Sequence, residues 1–244
     1  MGKIPKDPNE IFEEITKDYQ IAFGNDLVSI ALYGSGATGD YVPKKSDLNF
    51  LIALTEEGIN TLERSLEVVS RWRKRKVSTP LFLTKSYITS SLDTFPIEFL
   101  NMKMNHILVF GEDVLANLSF EKGNLRVQCE RELKAKLLQL RQGYLDASKR
   151  VRNLRLLIAS SIPAFIAIFR ALLYLKDTEV PARREEIVSR VCEEFDLDHG
   201  LFSTLLSIKD REKRLSKGEM DWLIQRYISD VRRLSSIVDK MEIP

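Results

Sequence analysis

The sequence predicts an α+β protein, in which a small mixed sheet with flanking helices is followed by an all-helical bundle. Two observations predict this layout. Up to about residue 117, short apolar strand-like runs alternate with helical segments. Beyond residue 120 the strand signals vanish and long helical periods take over. We therefore expect two domains, at residues 1–117 and 118–244, because each length can bury a core of its own.

The first predicted element is a helix at residues 8–23. Pro8 suits a first-turn position, Asp7 or Asn9 can cap the helix, and Gly24 can end it. Apolar residues recur along it at helical spacing, namely Ile11, Phe12, Ile15, Tyr19 and Ala22. This stripe predicts one buried helix face.

Strand-like runs and short helices fill the rest of the first domain. Apolar runs that are bounded by turn residues are typical of strands, whereas longer runs with helical spacing favour helices. We predict strands at 27–33, 46–54, 80–84 and 96–102, helices at 55–75 and 86–92, and a last strand or turn with a short helix at 107–118.

The second domain is expected to contain about five helices, at 124–149, 154–175, 183–195, 200–211 and 218–241. The most apolar stretch, residues 156–169, contains Pro163 and falls short of the roughly 20 residues that span a bilayer. We interpret it as a buried central helix. The first residues carry early acidic side chains and no apolar run, so they do not fit a signal peptide. We expect a cytoplasmic protein without a membrane partner.

Charge and cysteine content argue against several other classes. The formal net charge of +2 is too small to indicate a nucleic-acid or membrane partner by itself. Cys129 and Cys192 fall in helix-like segments, and we interpret them as free, buried thiols rather than as a disulfide. The two histidines and two cysteines are too dispersed for a zinc site.

The segment ALYGSGATGDYVPKKSDLNFLIAL, residues 31–54, joins two predicted strands through a Gly-Ser turn and a polar connection. Gly34 lets the backbone approach a ligand without a Cβ, and Ser35 supplies a hydroxyl donor. The backbone N–H groups of such a turn suit phosphate oxygens. Asp47 and Asn49 are two residues apart in the second strand, so we expect them to share a face and to point toward the turn.

Glu98 is a lone carboxylate in the predicted strand at 96–102. Asp47 is a hard oxygen ligand of the kind that suits Mg²⁺. Glu98 would add a carboxylate to such a metal, or act as a general base toward a hydroxyl nucleophile. A phosphate-binding turn beside oxygen ligands is what metal-assisted phosphoryl chemistry requires.

The pattern Gly34-Ser35, eleven further residues and Asp47-Leu48-Asn49 resembles the signature of the nucleotidyltransferase (DNA polymerase β-like) superfamily. In that signature, Gly followed by Gly or Ser precedes two carboxylates that flank one apolar residue. A third carboxylate lies on a later strand, a place that Glu98 fits. The layout is most similar to that of the aminoglycoside adenylyltransferases that act on streptomycin and spectinomycin, in which a small sheet domain precedes a helical one.

The resemblance implies a nucleotidyltransferase-like sheet and a Mg²⁺-dependent transfer of a nucleoside monophosphate, AMP from ATP before other NTPs, to a hydroxyl acceptor. It implies that Gly34 and Ser35 hold the triphosphate, that Asp47 ligates Mg²⁺ and that Glu98 is a metal ligand or base. Lys45, with its neighbour Lys44, either touches the phosphates or is a solvated loop residue. The acceptor is expected to bind between the two domains.

Asn49 departs from the family pattern, which has Asp or Glu at this position. Its amide oxygen can still coordinate Mg²⁺, but without charge, so the site loses one unit of negative field. Two interpretations stay open. The protein is a working transferase that relies on Asp47, Glu98 and the substrate phosphates, or it is a catalytically degenerate nucleotide-binding or regulatory protein. The intact turn and Glu98 favour the transferase.

Several other features point away from a second chemistry. We interpret the basic run at 71–76 as cations at the C-terminal end of a helix, with an RNA-binding patch as the alternative. The excess of Lys and Arg at 122–155 is typical of a solvated helix face, although some of these residues would be able to flank a nucleotide. His106 and His199 stand in no motif and are expected to be structural or exposed. Neither has an Arg at the spacing found in the RNase-type helical partners of such domains, so we expect no RNase activity.

Overall fold

The computed structural model describes residues 3–148, 150–210 and 215–243. The chain divides into two compact units, one formed by Met1–Asp93 with Glu98–Ser119 and the other by Thr94–Ile97 with Phe120–Pro244. The first unit holds the sheet and the second holds the long helices. The predicted α+β class is therefore confirmed.

The N-terminal half of the chain alternates between helices and short strands. In order, its elements are α1 (Phe12–Phe23), β1 (Leu27–Tyr33), α2 (Ser35–Thr38), β2 (Asn49–Leu54), α3 (Leu66–Arg73), β3 (Leu81–Thr84), α4 (Lys85–Ser90), α5 (Pro96–Met104) and β4 (His106–Gly111). Short 3₁₀ turns cover Pro8–Ile11, Gly24–Asp26 and Gly58–Ser65. The predicted helix at 55–75 is thus a 3₁₀ segment that continues into α3.

The four strands form one mixed sheet with the order β3-β2-β1-β4. β1 is antiparallel to both β2 and β4, whereas β2 and β3 are parallel. Tyr33 at the end of β1 lies opposite Asn49 on one side and His106 on the other. This register places the first residues of β2 and β4 beside the end of β1.

The core of the first unit lies between α1 and the sheet. Trp72 of α3 is buried there, and its indole N–H donates to Asp18 at 2.8 Å. The apolar stripe predicted for the first helix supplies one wall of this core. The buried members are Ile11, Ile15, Tyr19, Phe23, Leu27, Ile30, Leu32, Leu48, Phe50, Ile52, Leu54, Trp72 and Val77.

The predicted fourth strand at 96–102 is wrong, because this segment is the helix α5. Pro96 occupies the first turn, where its missing N–H costs nothing. The next N–H, of Ile97, donates to the side-chain oxygen of Gln128 at 2.7 Å. The last strand is β4 instead, and the short helix predicted after it does not form in the described residues 112–118.

In the described residues, the second unit is a bundle of five long helices, as predicted. They are α6 (Lys122–Asp146), α7 (Val151–Leu175), α8 (Arg184–Glu194), α9 (His199–Lys209) and α10 (Lys217–Asp239). The helix ends that we predicted at Lys149 and Arg211 lie outside the described residues. A capping box at Ser216 and Glu219 starts α10.

α7 is the central helix of this bundle, because it packs against each of the other four. Among the described residues it is also the one helix that is long and apolar enough to cross a membrane, but 56% of its apolar window is buried inside the protein. That burial agrees with the buried central helix that we predicted. Cys129 of α6 and Cys192 of α8 are buried and are not joined in a disulfide, also as predicted.

Candidate functional site

The turn after β1 is built around Gly34. Its φ of 72° lies in the left-handed region, where a side chain is strained. The Gly34 carbonyl accepts hydrogen bonds from the N–H groups of Ala37 at 2.9 Å and Thr38 at 3.2 Å. These bonds close the short helix α2, which begins at Ser35. The Gly-Ser turn predicted from the sequence is therefore present.

Asn49 comes close to this turn. A Cβ at Gly34 would lie 3.3 Å from the Asn49 side-chain nitrogen, which is tighter than an ordinary contact. The reason is the strand register, since Asn49 pairs with Tyr33, the residue before Gly34. The structure thus brings Gly34, Ser35 and Asn49 together.

Gly36 fixes the underside of the turn. It is buried, and a Cβ at this position would lie 2.9 Å from a Leu48 methyl group and 3.1 Å from a Leu32 methyl group. The turn therefore rests directly on the first unit's core through Leu32 and Leu48. Only glycine fits here without a shift of these side chains.

Asp47 lies just before β2 rather than on it, so the predicted strand at 46–54 begins three residues too early. Its carboxylate is half exposed and forms an ion pair with Lys76, whose Nζ lies 3.2 Å from Asp47 Oδ1. This pairing follows from the sheet, because Leu48 forms a parallel bridge with Val77. The sequence interpretation treated Lys76 only as the end of a basic run and missed this contact. No local signal predicts it, since it depends on strand register.

Glu98 does not occupy a strand beside β2. It lies exposed in the first turn of α5. The strands that lie beside β2 are β1 and β3, and residues 77–84, which lead into β3 and form it, contain no acidic side chain. Within the described residues 3–148, 150–210 and 215–243, no three or more His, Cys, Asp or Glu side chains group as a metal site. The expected third carboxylate is therefore absent from the strand beside Asp47 and Asn49.

The lysines that precede Asp47 lie on an exposed turn. The backbone N–H of Lys45 donates to the Val42 carbonyl at 3.1 Å, and Lys44 has a φ of 67°. Both side chains are exposed. Their role toward phosphate stays a prediction.

The basic run at 71–76 is largely engaged in local ion pairs. Arg71 pairs with Asp18, Arg75 pairs with Glu14, and Lys76 pairs with Asp47. The Arg75 guanidinium also lies 4.4 Å from the centre of the Trp72 ring. These contacts favour the structural interpretation of the run over an RNA-binding patch.

His106 has a structural role at the start of β4. One ring nitrogen, Nδ1, lies 3.0 Å from the Met102 carbonyl, and the other, Nε2, lies 3.0 Å from the Asp113 carboxylate. Burial alone would raise the pKa of Asp113, but the hydrogen bonds from His106 and from the N–H groups of Leu115 and Ala116 outweigh it and hold that pKa below its usual value. The pair braces β4 next to Tyr33.

The donor set is a poor fit for a catalytic magnesium centre. Asp47 is its one carboxylate at the edge of β2, and that carboxylate already holds an ammonium group. Asn49 brings no charge, and its amide nitrogen faces Gly34. Affinity for hard divalent cations rises with the number of charged oxygen ligands. The turn suits phosphate, whereas the oxygen ligands do not make up a metal-dependent catalytic set.

Comparison with known proteins defines the class of fold. No family model matches the chain, and no curated protein matches its sequence. The chain is similar in fold to a solved adenyltransferase structure. That structure is spectinomycin adenyltransferase AAD(9) from Enterococcus faecialis with ATP and spectinomycin. It has a TM-score of 0.54 and 12% sequence identity, and the match covers 92% of this chain and 99% of that one.

Proposed function

We propose that this chain is a nucleotide-binding protein with a nucleotidyltransferase-like fold, and that it binds a nucleoside triphosphate, ATP before others, without efficient nucleotidyl transfer. The triphosphate would contact the N–H groups and hydroxyl of the turn at Gly34 and Ser35. One observation carries the proposal. The only carboxylate in the Asp47–Asn49 pair is held by Lys76, and the neighbouring residues 77–84 supply no acid.

A second candidate is transfer of a nucleoside monophosphate, with AMP from ATP as the first choice, to a hydroxyl acceptor with loss of pyrophosphate. The fold likeness to an enzyme solved with ATP and spectinomycin favours it, because the match extends over nearly the whole of this chain. In that case Asp47, Asn49 and Glu98 would hold Mg²⁺, or Glu98 would act as the base, and Lys76 would no longer pair with Asp47.

Binding and turnover measurements on the full chain separate the two candidates. We would titrate ATP, GTP, CTP and UTP with and without Mg²⁺, and then assay pyrophosphate release with panels of hydroxyl acceptors, aminoglycosides included. The first proposal expects saturable NTP binding and no release above the protein-free rate. Release that depends on an acceptor would establish the transferase instead. No NTP binding in any condition would contradict both.

A further inference from the structure

We propose that the Lys76 ammonium supplies the positive charge of this site. It pairs with Asp47 in the way that a divalent metal ion would in a metal-dependent enzyme. Nucleotide phosphates would then bind here without a metal. The inference rests on the proposed nucleotide binding and adds the source of the positive charge.

The ion pair is placed where a ligand can meet it. Lys76 Nζ lies 3.2 Å from Asp47 Oδ1, and the two side chains keep 41% and 52% of their exposure. An exposed ion pair of this kind contributes little to stability. An ammonium with two N–H groups left over is a donor that can reach phosphate oxygens.

The backbone holds Lys76 next to Asp47. The Lys76 carbonyl accepts from the Leu48 N–H at 2.9 Å, and the Ser78 N–H donates to the Leu48 carbonyl at 2.9 Å. Lys76 itself has a φ of 66°, a left-handed conformation that is strained for a non-glycine residue. The chain thus keeps a lysine at a position where glycine or asparagine would be less strained. The two backbone hydrogen bonds fix the backbone of Lys76 beside Leu48, and from there the side chain reaches Asp47.

The charge balance favours an anion over a divalent cation. Asp47 contributes one negative charge, Lys76 one positive charge, Asn49 none, and residues 77–84 none. A metal ion would therefore meet a neutral pair instead of the clustered carboxylates that attract Mg²⁺. A triphosphate would meet the same pair without net repulsion, and its oxygens would gain a charge-assisted donor.

The test measures ATP binding to the full-length protein in EDTA and again in Mg²⁺. Lys76→Met keeps the unbranched side chain, shorter by one atom, and removes its charge. Lys74→Met is the matched control, because Lys74 is an exposed lysine two residues away at the end of α3. Thermal melting curves verify that each variant is folded.

We expect ATP to bind in EDTA, and we expect Lys76→Met to weaken that binding about tenfold, the value of one charge-assisted hydrogen bond. Lys74→Met should change it less than twofold. Asp47→Asn supplies an independent test, because the direction of the change in ATP affinity differs between the two models. It removes a charge that repels phosphate, so it should leave ATP binding in EDTA equal or tighter, whereas loss of a metal ligand would weaken binding in Mg²⁺.

Two results would overturn the inference, and they differ in what they say about the proposed function. ATP binding that requires Mg²⁺, is lost in Asp47→Asn and is unchanged in Lys76→Met would leave nucleotide binding in place and refute the role of Lys76. Absence of ATP binding in both EDTA and Mg²⁺ would refute the nucleotide site itself.

Discussion

β1 and β3 flank β2 on opposite sides, and they contribute unlike residues to the candidate site. β1 leads into the Gly34 turn, which lies against Asn49 and suits phosphate oxygens. β3 and the residues before it bring Lys76 and no acid. The Gly34 turn, which suits phosphate, and Lys76, which pairs with Asp47, thus come from segments next to the two different strands that neighbour β2. One part can be kept while the other is changed.

The β1 side gives the largest expected effect. Gly34→Ala should weaken ATP binding about a hundredfold, because its Cβ would push on Asn49 and displace backbone donors that contribute about 1.5 kcal/mol each. Isothermal titration calorimetry measures the change.

A matched glycine separates this effect from backbone strain. Gly39 has a φ of 80°, similar to that of Gly34, but a Cβ there would meet nothing within 4 Å. Gly39→Ala should therefore lower stability by about 1 kcal/mol, the cost of a left-handed alanine, and leave ATP affinity unchanged. Equal losses of affinity in both variants would show that the turn is only structural.

The expected metal ligands at Asp47 and Asn49 are tested by adding a charge. Asn49→Asp keeps the shape of the side chain and adds a second carboxylate near Asp47, so it should raise Mg²⁺ affinity about tenfold. Calorimetric titration of Mg²⁺ into the ATP-saturated protein reads this out, with Asn49→Ala as the uncharged control. If Asn49→Asp leaves Mg²⁺ affinity unchanged, the missing charge at position 49 is not what limits Mg²⁺ binding.

The smallest effect concerns β4, which supports β1 from its far side. The folded-state pKa of Asp113 is lowered, so its contribution to stability is present above the unfolded pKa and is lost as the pH falls through the folded pKa. Asp113→Asn should lower the free energy of unfolding by about 1 kcal/mol at pH 7. The difference from the parent chain should fade below about pH 4. Urea unfolding at a series of pH values checks this, and a difference that does not decrease anywhere below pH 4 would contradict it.

Much of the fold could be predicted from residue patterns alone. β1 was predicted at its observed bounds, because a continuous apolar run stood between Gly24 and Gly34, two glycines that both have positive φ. The five helices of the second unit were predicted because long apolar periods are the most reliable local signal. The segment at 96–102 was misread, since seven apolar-rich residues fit a strand or a helix equally well.

The candidate site was less predictable than the fold. The Gly34–Ser35 turn has a local sequence signal, and the structure has a turn there with a positive φ at Gly34. The ion pair between Asp47 and Lys76 has none, because it joins residues whose proximity is decided by the register of two strands. The third carboxylate was placed on Glu98 only because its segment was taken as a strand.

Gly36 carries a consequence for the kinetics of binding. Because it rests on Leu32 and Leu48, the turn above it is ordered by the same contacts that hold the core together. Binding of a ligand to such a preorganised loop costs the protein little conformational entropy. Association should therefore follow a single exponential whose rate rises linearly with ATP concentration, without the plateau that a slow loop-ordering step produces.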